Sequence, residues 1–190
     1  MNNCSAILLA GGRSSRMGTN KADLDYHGVS LLRHQVKKLR RLGIEDIVVS
    51  GQASAVEKVQ FVPDVYPGRG PLSGIHAGLL AIKNNSALVI SVDCPLIPEP
   101  FLLKLIAAHK GGITLAEHDG VTEPLIGVYD KKLAELCEQV LQGERTSVRR
   151  LHDLVSISTL VYQGSSRLLS GCNTPEEYKE ILSYKQEEKA

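Results

Sequence analysis

Apolar residues gather along this chain in short runs of two periodicities, and together they read as an α/β domain. Residues 6–9 (Ala-Ile-Leu-Leu) and 87–93 (Ala-Leu-Val-Ile-Ser-Val-Asp) are apolar without alternation, the pattern of strands buried on both faces of a parallel sheet. Residues 44–50 read as another strand, and 61–64 as a short strand edge. Between these runs the period becomes helical. Leu31, Leu32, Val36, Leu39 and Leu42 mark one face of a helix that Gly43 is placed to end. Arg33, Lys37, Lys38, Arg40 and Arg41 fill its other side, a charge run that reads as a solvated face or, alternatively, as a docking surface for an acidic protein. Pro71 opens a helix carrying Ile75, Leu79 and Ile82, and its free N-terminal amides suit an anion. Pro98, Glu99 and Pro100 start a helix through Leu103, Ile106 and Ala107, and Leu133, Leu136, Val140 and Leu141 mark one ending at Gly143. Thr174 caps a last helix, with Pro175, Glu176 and Glu177 in its first turn. Residues 113–117 and 124–129 read as two strands joined through Asp119-Gly120, a hairpin signal that makes the sheet mixed. The alternation predicts one three-layer α/β/α domain over residues 1–190, with a mostly parallel, mixed sheet and neither repeats nor a linker.

Composition narrows the partners. Aromatic residues make up 4%, which leaves no base-stacking platform, and the formal net charge of +1 gives no overall pull toward nucleic acid or membrane. Anions must then be met by local clusters, and the expected partner is a small one. Cys4, Cys94, Cys137 and Cys172 are widely spaced, with no Cys-x-x-Cys pair and no secretory segment, so a disulfide framework and a zinc site are not indicated and a cytoplasmic location is expected. The six histidines show no ligand spacing, and no apolar run reaches the roughly 20 residues that span a bilayer.

Local chemistry concentrates where the first strand stops. Leu9-Ala10-Gly11-Gly12-Arg13-Ser14-Ser15-Arg16-Met17-Gly18-Thr19-Asn20-Lys21 passes from apolar residues through two glycines into a basic, hydroxyl-rich loop. At the carboxyl edge of an α/β sheet such a loop can bring backbone N–H groups and positive charge to a phosphate. It is not a Walker loop, because Gly12 and Gly18 are separated by five residues and followed by Thr19-Asn20-Lys21. Nor does it contain the Gly-x-Gly-x-x-Gly of a dinucleotide fingerprint. Asp93, ending the most apolar strand opposite this loop, is placed to hold Mg²⁺ through one oxygen while phosphate oxygens and waters complete its octahedron; the alternative is an Asp that caps the following turn.

The loop resembles the Leu-Ala-Gly-Gly-x-Ser-x-Arg-Met-Gly-x-x-Lys signature of nucleotidyltransferases with the nucleotide-diphospho-sugar transferase fold, which is Rossmann-like. Within them it is most similar to the molybdenum cofactor guanylyltransferases, over nearly the whole chain. The resemblance implies transfer of GMP from GTP to the phosphate of molybdenum-molybdopterin, with release of pyrophosphate. It implies nucleotide contacts from Leu9, Ala10, Gly11, Gly12, Lys21, Ser50, Asp64, Gly74 and Asp93. Gly74 enters through Pro67-Gly68-Arg69-Gly70-Pro71-Leu72-Ser73-Gly74, a stretch that in the family lies near the base and ribose. Lys21, Arg16 and Asp93 take the catalytic roles, and Asn173 joins Asp93 on the Mg²⁺ side. Residues 123–129 resemble the acceptor side of the cleft, and 144–151 loosely match a pterin-associated stretch whose arginines serve a phosphate or surface ion pairs. Cytidylyl relatives tend to carry Leu-Ala-Ala-Gly where this chain has Leu9-Ala10-Gly11-Gly12, so the resemblance favours GTP. Transient contacts with other cofactor-biosynthesis proteins and with molybdoenzyme apoproteins also follow from it. The rival readings are a molybdopterin cytidylyltransferase, a sugar- or alditol-phosphate nucleotidyltransferase, and a non-catalytic carrier of the pterin or nucleotide.

Overall fold

Ser5–Leu9 (β1) is buried at every residue, which explains its unbroken apolar run: Ala6 and Leu8 enter one core, Ile7 and Leu9 the other. The computed structural model describes residues 4–11, 20–51, 56 and 58–184. Past the loop, a small hairpin, Asp25–Tyr26 (β2) and Val29–Ser30 (β3), leads into the helix Leu31–Arg41 (α1), whose cap Ser30 accepts from the Arg33 amide. Ile47–Ser50 (β4) and Gln60–Val62 (β5) follow, then Pro71–Ala81 (α2) with Pro71 at its start. Ser86–Ser91 (β6), Glu99–Ala108 (α3), Ile113–His118 (β7) and Val121–Asp130 (β8) continue the chain. Ala134–Gln142 (α4), Val148–His152 (α5), Ile157–Val161 (β9) and Pro175–Ser183 (α6) complete it.

Seven strands form one sheet in the order β5-β4-β1-β6-β8-β7-β9. Neighbours are parallel except around β8, which runs against both β6 and β7. The Asp119-Gly120 turn between β7 and β8 has both residues at positive φ, 49° and 76°, as a two-residue hairpin requires. Side chains of α1, α3 and α6 pack on one face of the sheet and those of α2, α4 and α5 on the other, giving the expected three layers.

Several local expectations shift. The strand expected at 44–50 begins at Ile47, and the run 87–93 ends as a strand at Ser91, so Asp93 stands two residues beyond it. Leu103 of α3 is exposed, while Phe101, Leu102 and Leu105 are buried. Lys38 does not belong to a solvated face: it is 1% exposed. Its spacing from Leu31 and Leu42 puts it on the inward stripe of α1, and the burial of its ammonium is made tolerable by carbonyl acceptors described below.

Because β1, β4, β5 and β6 are parallel, their carboxyl ends share one edge, with Leu9 in register with both Ser50 and Ser91, and Ser50 with Val62. From β1 the chain proceeds outward through β4 to β5, then returns through α2 to the other side of β1 at β6. The crevice at the carboxyl ends of β1 and β6 is therefore a topological switch point, the general ligand position of open α/β sheets.

Candidate active site

Three side chains far apart in sequence meet at that crevice. Lys21 Nζ donates to Asp93 Oδ2 at 2.5 Å and to Asn173 Oδ1 at 2.7 Å. Each is placed by its own local device. Lys21 opens a short 3-10 turn, Lys21–Asp23, that Asn20 caps by accepting from the Ala22 amide and that the buried Ala22 anchors. Asp93 lies in an irregular segment tied to β1 by the Val92 amide, which donates to the Leu9 carbonyl at 3.0 Å. Ser91 Oγ donates to Asp93 Oδ1 at 2.6 Å, leaving Oδ2 for the lysine. Asn173 directly precedes the cap of α6, where a capping box joins Thr174 and Glu177 and the Asn173 amide donates to the Glu177 carboxylate at 2.5 Å. The Cys172 amide, donating to the Asp93 carbonyl at 3.0 Å, joins the two segments directly.

A second group lies at the ends of β1, β4 and β5. Ser50, 2% exposed, donates through Oγ to Asp64 Oδ1 at 2.8 Å. Leu9 and Ala10 are buried beside it, the Ala10 amide donating to the Ser50 carbonyl at 2.8 Å, and Gly11 follows, exposed. Gly74 has a definite reason to be glycine: a Cβ there would lie 2.6 Å from Ser50 Oγ and 3.0 Å from Leu9 Cδ2, so a side chain would force Ser50 or the helix to shift. Gly12 and Arg16 lie outside the described residues.

The surroundings add groups that sequence reasoning passed over. Gly171 is one, since a Cβ there would stand 3.1 Å from both Cγ and Oδ1 of Asp93; its place just before Cys172-Asn173 was the available signal. Gln35 and Lys38 of α1 are the others, both buried and both donating to carbonyls of the segment that carries Asp93. Burial pushes the Lys38 ammonium down to about 8, and the Arg41 charge adds to the effect while Glu99 opposes it. His34, next to Gln35, is held down to about 4, first by burial and then by the charges of Lys38 and Arg41. Cys94 and Cys172 adjoin Asp93; burial first, and the carboxylate second, raise the Cys94 thiol well above its usual range and the Cys172 thiol to about 11. Burial therefore favours the neutral thiol at both.

On the acceptor-like side, burial raises the Glu123 carboxyl, and Tyr129 of β8 donates to the Pro124 carbonyl at 2.6 Å. Of the 144–151 arginines, Arg150 pairs with Asp153 at 3.7 Å, and Arg145 and Arg149 are exposed. An open cleft of about 620 Å³ lined by Leu136, Glu144, Arg145 and Arg150 lies on α4 and α5 and includes none of Lys21, Asp93 and Asn173.

A mostly parallel sheet whose switch point gathers a lysine, a carboxylate and an amide beside a glycine-bearing strand end defines an α/β domain of the nucleotidyltransferase kind. Residues 6–156 match the MobA-like NTP transferase domain, and the chain belongs to that family. A molybdenum cofactor guanylyltransferase of Rhizobium johnstonii is 33% identical over 188 residues, covering 92% of this chain and 89% of its own. A probable molybdenum cofactor guanylyltransferase of Chloroflexus aggregans is 35% identical over 195 residues, covering 95% and 94%. The crystal structure of molybdopterin-guanine dinucleotide biosynthesis protein A from Archaeoglobus fulgidus superposes with a TM-score of 0.76 at 20% identity, covering 93% of this chain and 96% of that one, and so shares the fold. No helix among the described residues is long and apolar enough to cross a membrane.

Proposed function

We propose that this chain, acting as one domain over residues 1–190, transfers GMP from GTP to the phosphate of molybdenum-molybdopterin and releases pyrophosphate. The substrates come from the names of the Rhizobium and Chloroflexus relatives, which align over most of both chains. The observation that carries the chemistry is the meeting of Lys21, Asp93 and Asn173 at the switch point.

That meeting also bears on the metal. Asp93 Oδ2 and Asn173 Oδ1 both face a single cation, the Lys21 ammonium, so the pair is already arranged around positive charge. An all-oxygen pair with one carboxylate suits Mg²⁺. Asp93 and Asn173 would hold Mg²⁺, which supplies charge neutralisation to the reacting phosphates.

The chain's own residues do the positioning. Leu9, Ala10, Gly11 and Gly12 contact the nucleotide, the Ala10 amide staying on the Ser50 carbonyl, and Lys21, with Arg16, meets the charge on its β- and γ-phosphates. Ser50, Asp64 and Gly74 shape the nucleoside end of the crevice. An oxygen of the acceptor phosphate attacks the α-phosphorus in line with the departing pyrophosphate; a phosphorus–oxygen bond forms as the one to pyrophosphate breaks, and no covalent enzyme intermediate is needed. Four buried, free cysteines suit a reducing cytoplasm, and a bulky anionic product destined for molybdoenzyme apoproteins implies transient contact with them and with other cofactor-biosynthesis proteins.

Pyrophosphate release, measured with each ribonucleoside triphosphate, Mg²⁺ and molybdenum-molybdopterin, tests the reading. Release should require GTP, acceptor and metal together. Equal release with CTP would overturn the choice of GTP, release with CTP alone would make the chain a cytidylyltransferase, and none with any nucleotide would leave a carrier.

A further inference from the structure

The chain leaving β6 makes an unusual demand. Residues 92–98 form neither strand nor helix, Val92, Cys94, Pro95, Leu96 and Ile97 are buried, and Pro95 and Pro98 lack amide hydrogens. Carbonyls in such a segment find neither a regular ladder nor water, and buried carbonyls require donors. The donors come from α1, from residues one helical turn apart. Gln35 Nε2 shares its two hydrogens among three carbonyls, Cys94 at 2.9 Å, Ser91 at 3.3 Å and Val92 at 3.4 Å, and the Ser91 carbonyl also accepts from the Cys94 amide at 3.3 Å. Lys38 Nζ donates to the carbonyls of Pro95 at 2.5 Å and Ile97 at 2.9 Å. The neighbouring His34 also bonds to the Pro95 backbone.

Two features separate this arrangement from space filling. Gln35 keeps its amino group on the segment although its own Oε1 is buried and finds no partner among the described residues. Lys38 keeps a buried ammonium facing carbonyls, where Leu or Met would fill the same volume without burying a charge. The five carbonyls they hold flank Asp93 on both sides, and Asp93 itself has only a short side chain with which to reach the crevice.

We propose that Gln35 and Lys38 are positioning residues for guanylyl transfer, clamping residues 91–97 so that the Asp93 carboxylate faces Lys21 and Asn173. The inference rests on the reading of Asp93 as the metal-side carboxylate. Neither residue touches substrate; both act through the backbone that carries Asp93. A clamp made of side chains on α1 also couples the site to the inward face of that helix, so a change of packing beneath Lys38 reaches the reacting phosphates without any contact to them.

Lys38→Met and Gln35→Leu test the clamp, with Asp93→Asn as control. Four quantities are read: Mn²⁺ affinity in the presence of a non-hydrolysable GTP analogue, exchange of the Val92, Asp93, Cys94, Leu96 and Ile97 amides, kcat and KM. Each clamp variant should fold, exchange these amides at least tenfold faster, bind Mn²⁺ about tenfold more weakly and lose kcat by a similar factor, with KM for the acceptor unchanged. If Asp93→Asn loses Mn²⁺ while both clamp variants keep wild-type affinity and kcat, the clamp is refuted and the metal reading stands. If Asp93→Asn binds Mn²⁺ like the wild type, both fall. Should Lys38→Met fail to fold, Gln35→Leu, which removes no charge, decides alone.

Discussion

If Asp93 and Asn173 hold a divalent cation as proposed, Lys21 occupies its place and the two should compete. The perturbation is Lys21→Met, which keeps an unbranched apolar stem and removes the ammonium. At 2.5 Å from Asp93 Oδ2 the gross attraction is about 6 to 7 kcal/mol at an effective dielectric of about 20. Side chains 20% and 13% exposed lose much of that to screening, desolvation and ordering, leaving a net on the order of 1–2 kcal/mol. A cation entering the wild-type site must first displace this lysine, so its removal should tighten nucleotide-free Mn²⁺ binding roughly tenfold, given about 1.4 kcal/mol per tenfold. Titration of Mn²⁺ followed by electron paramagnetic resonance reads the free ion directly. With a GTP analogue present the advantage should vanish or reverse, because Lys21 then contributes to the triphosphate instead. A folded Lys21→Met variant that binds Mn²⁺ no more tightly than the wild type, without nucleotide, would refute the exchange of lysine for metal.

Three further outcomes are expected. Asp93→Asn should abolish Mn²⁺ binding and lower turnover by roughly a hundredfold or more, while costing only about 1 kcal/mol of stability from the lost ion pair, read from pyrophosphate release and denaturant midpoints on one preparation; full turnover would restore Asp93 to a structural role. Gly171→Ala should press a methyl group on the carboxylate 3.1 Å away and reduce kcat about tenfold with little change in melting temperature, whereas unchanged kcat would show that Asp93 can yield. His34 titrates near 4 in the folded chain and 6.5 when unfolded, so the unfolded state takes up its proton first as pH falls, and stability present above pH 6.5 is lost toward pH 4 by on the order of 2–3 kcal/mol. His34→Phe should flatten that decline in urea midpoints, and a decline parallel to the wild type's would refute it.

Much of this was legible in the chain because it is encoded at short range. The double-sided burial of β1 shows as an apolar run without alternation, the β7–β8 turn as Asp119-Gly120, and the start of α6 as Thr174-Pro175-Glu176-Glu177, since each depends on a few neighbouring backbone dihedrals and one local bond. The motif around Lys21 and the carboxylate after β6 could be recognised for the same reason. Lys38 shows where such reading stops. Its spacing from Leu31 and Leu42 pointed inward, but its charge pointed outward, and only the carbonyls of Pro95 and Ile97, supplied by a distant segment, decide between them. The edge strand β9 went unread because four of its five residues are exposed and it is defined by pairing with β7. Nor could local pattern place β8 in reverse between β6 and β7, or bring Asn173 within 2.7 Å of a lysine 152 residues earlier. Periodicity and caps are properties of adjacent residues, so the sequence by itself determined the main buried strands and capped helices and which residues stand at their ends. Strand order, the burial of Lys38 and the meeting of Lys21, Asp93 and Asn173 depend on which surfaces pack together, and that only the tertiary structure decided.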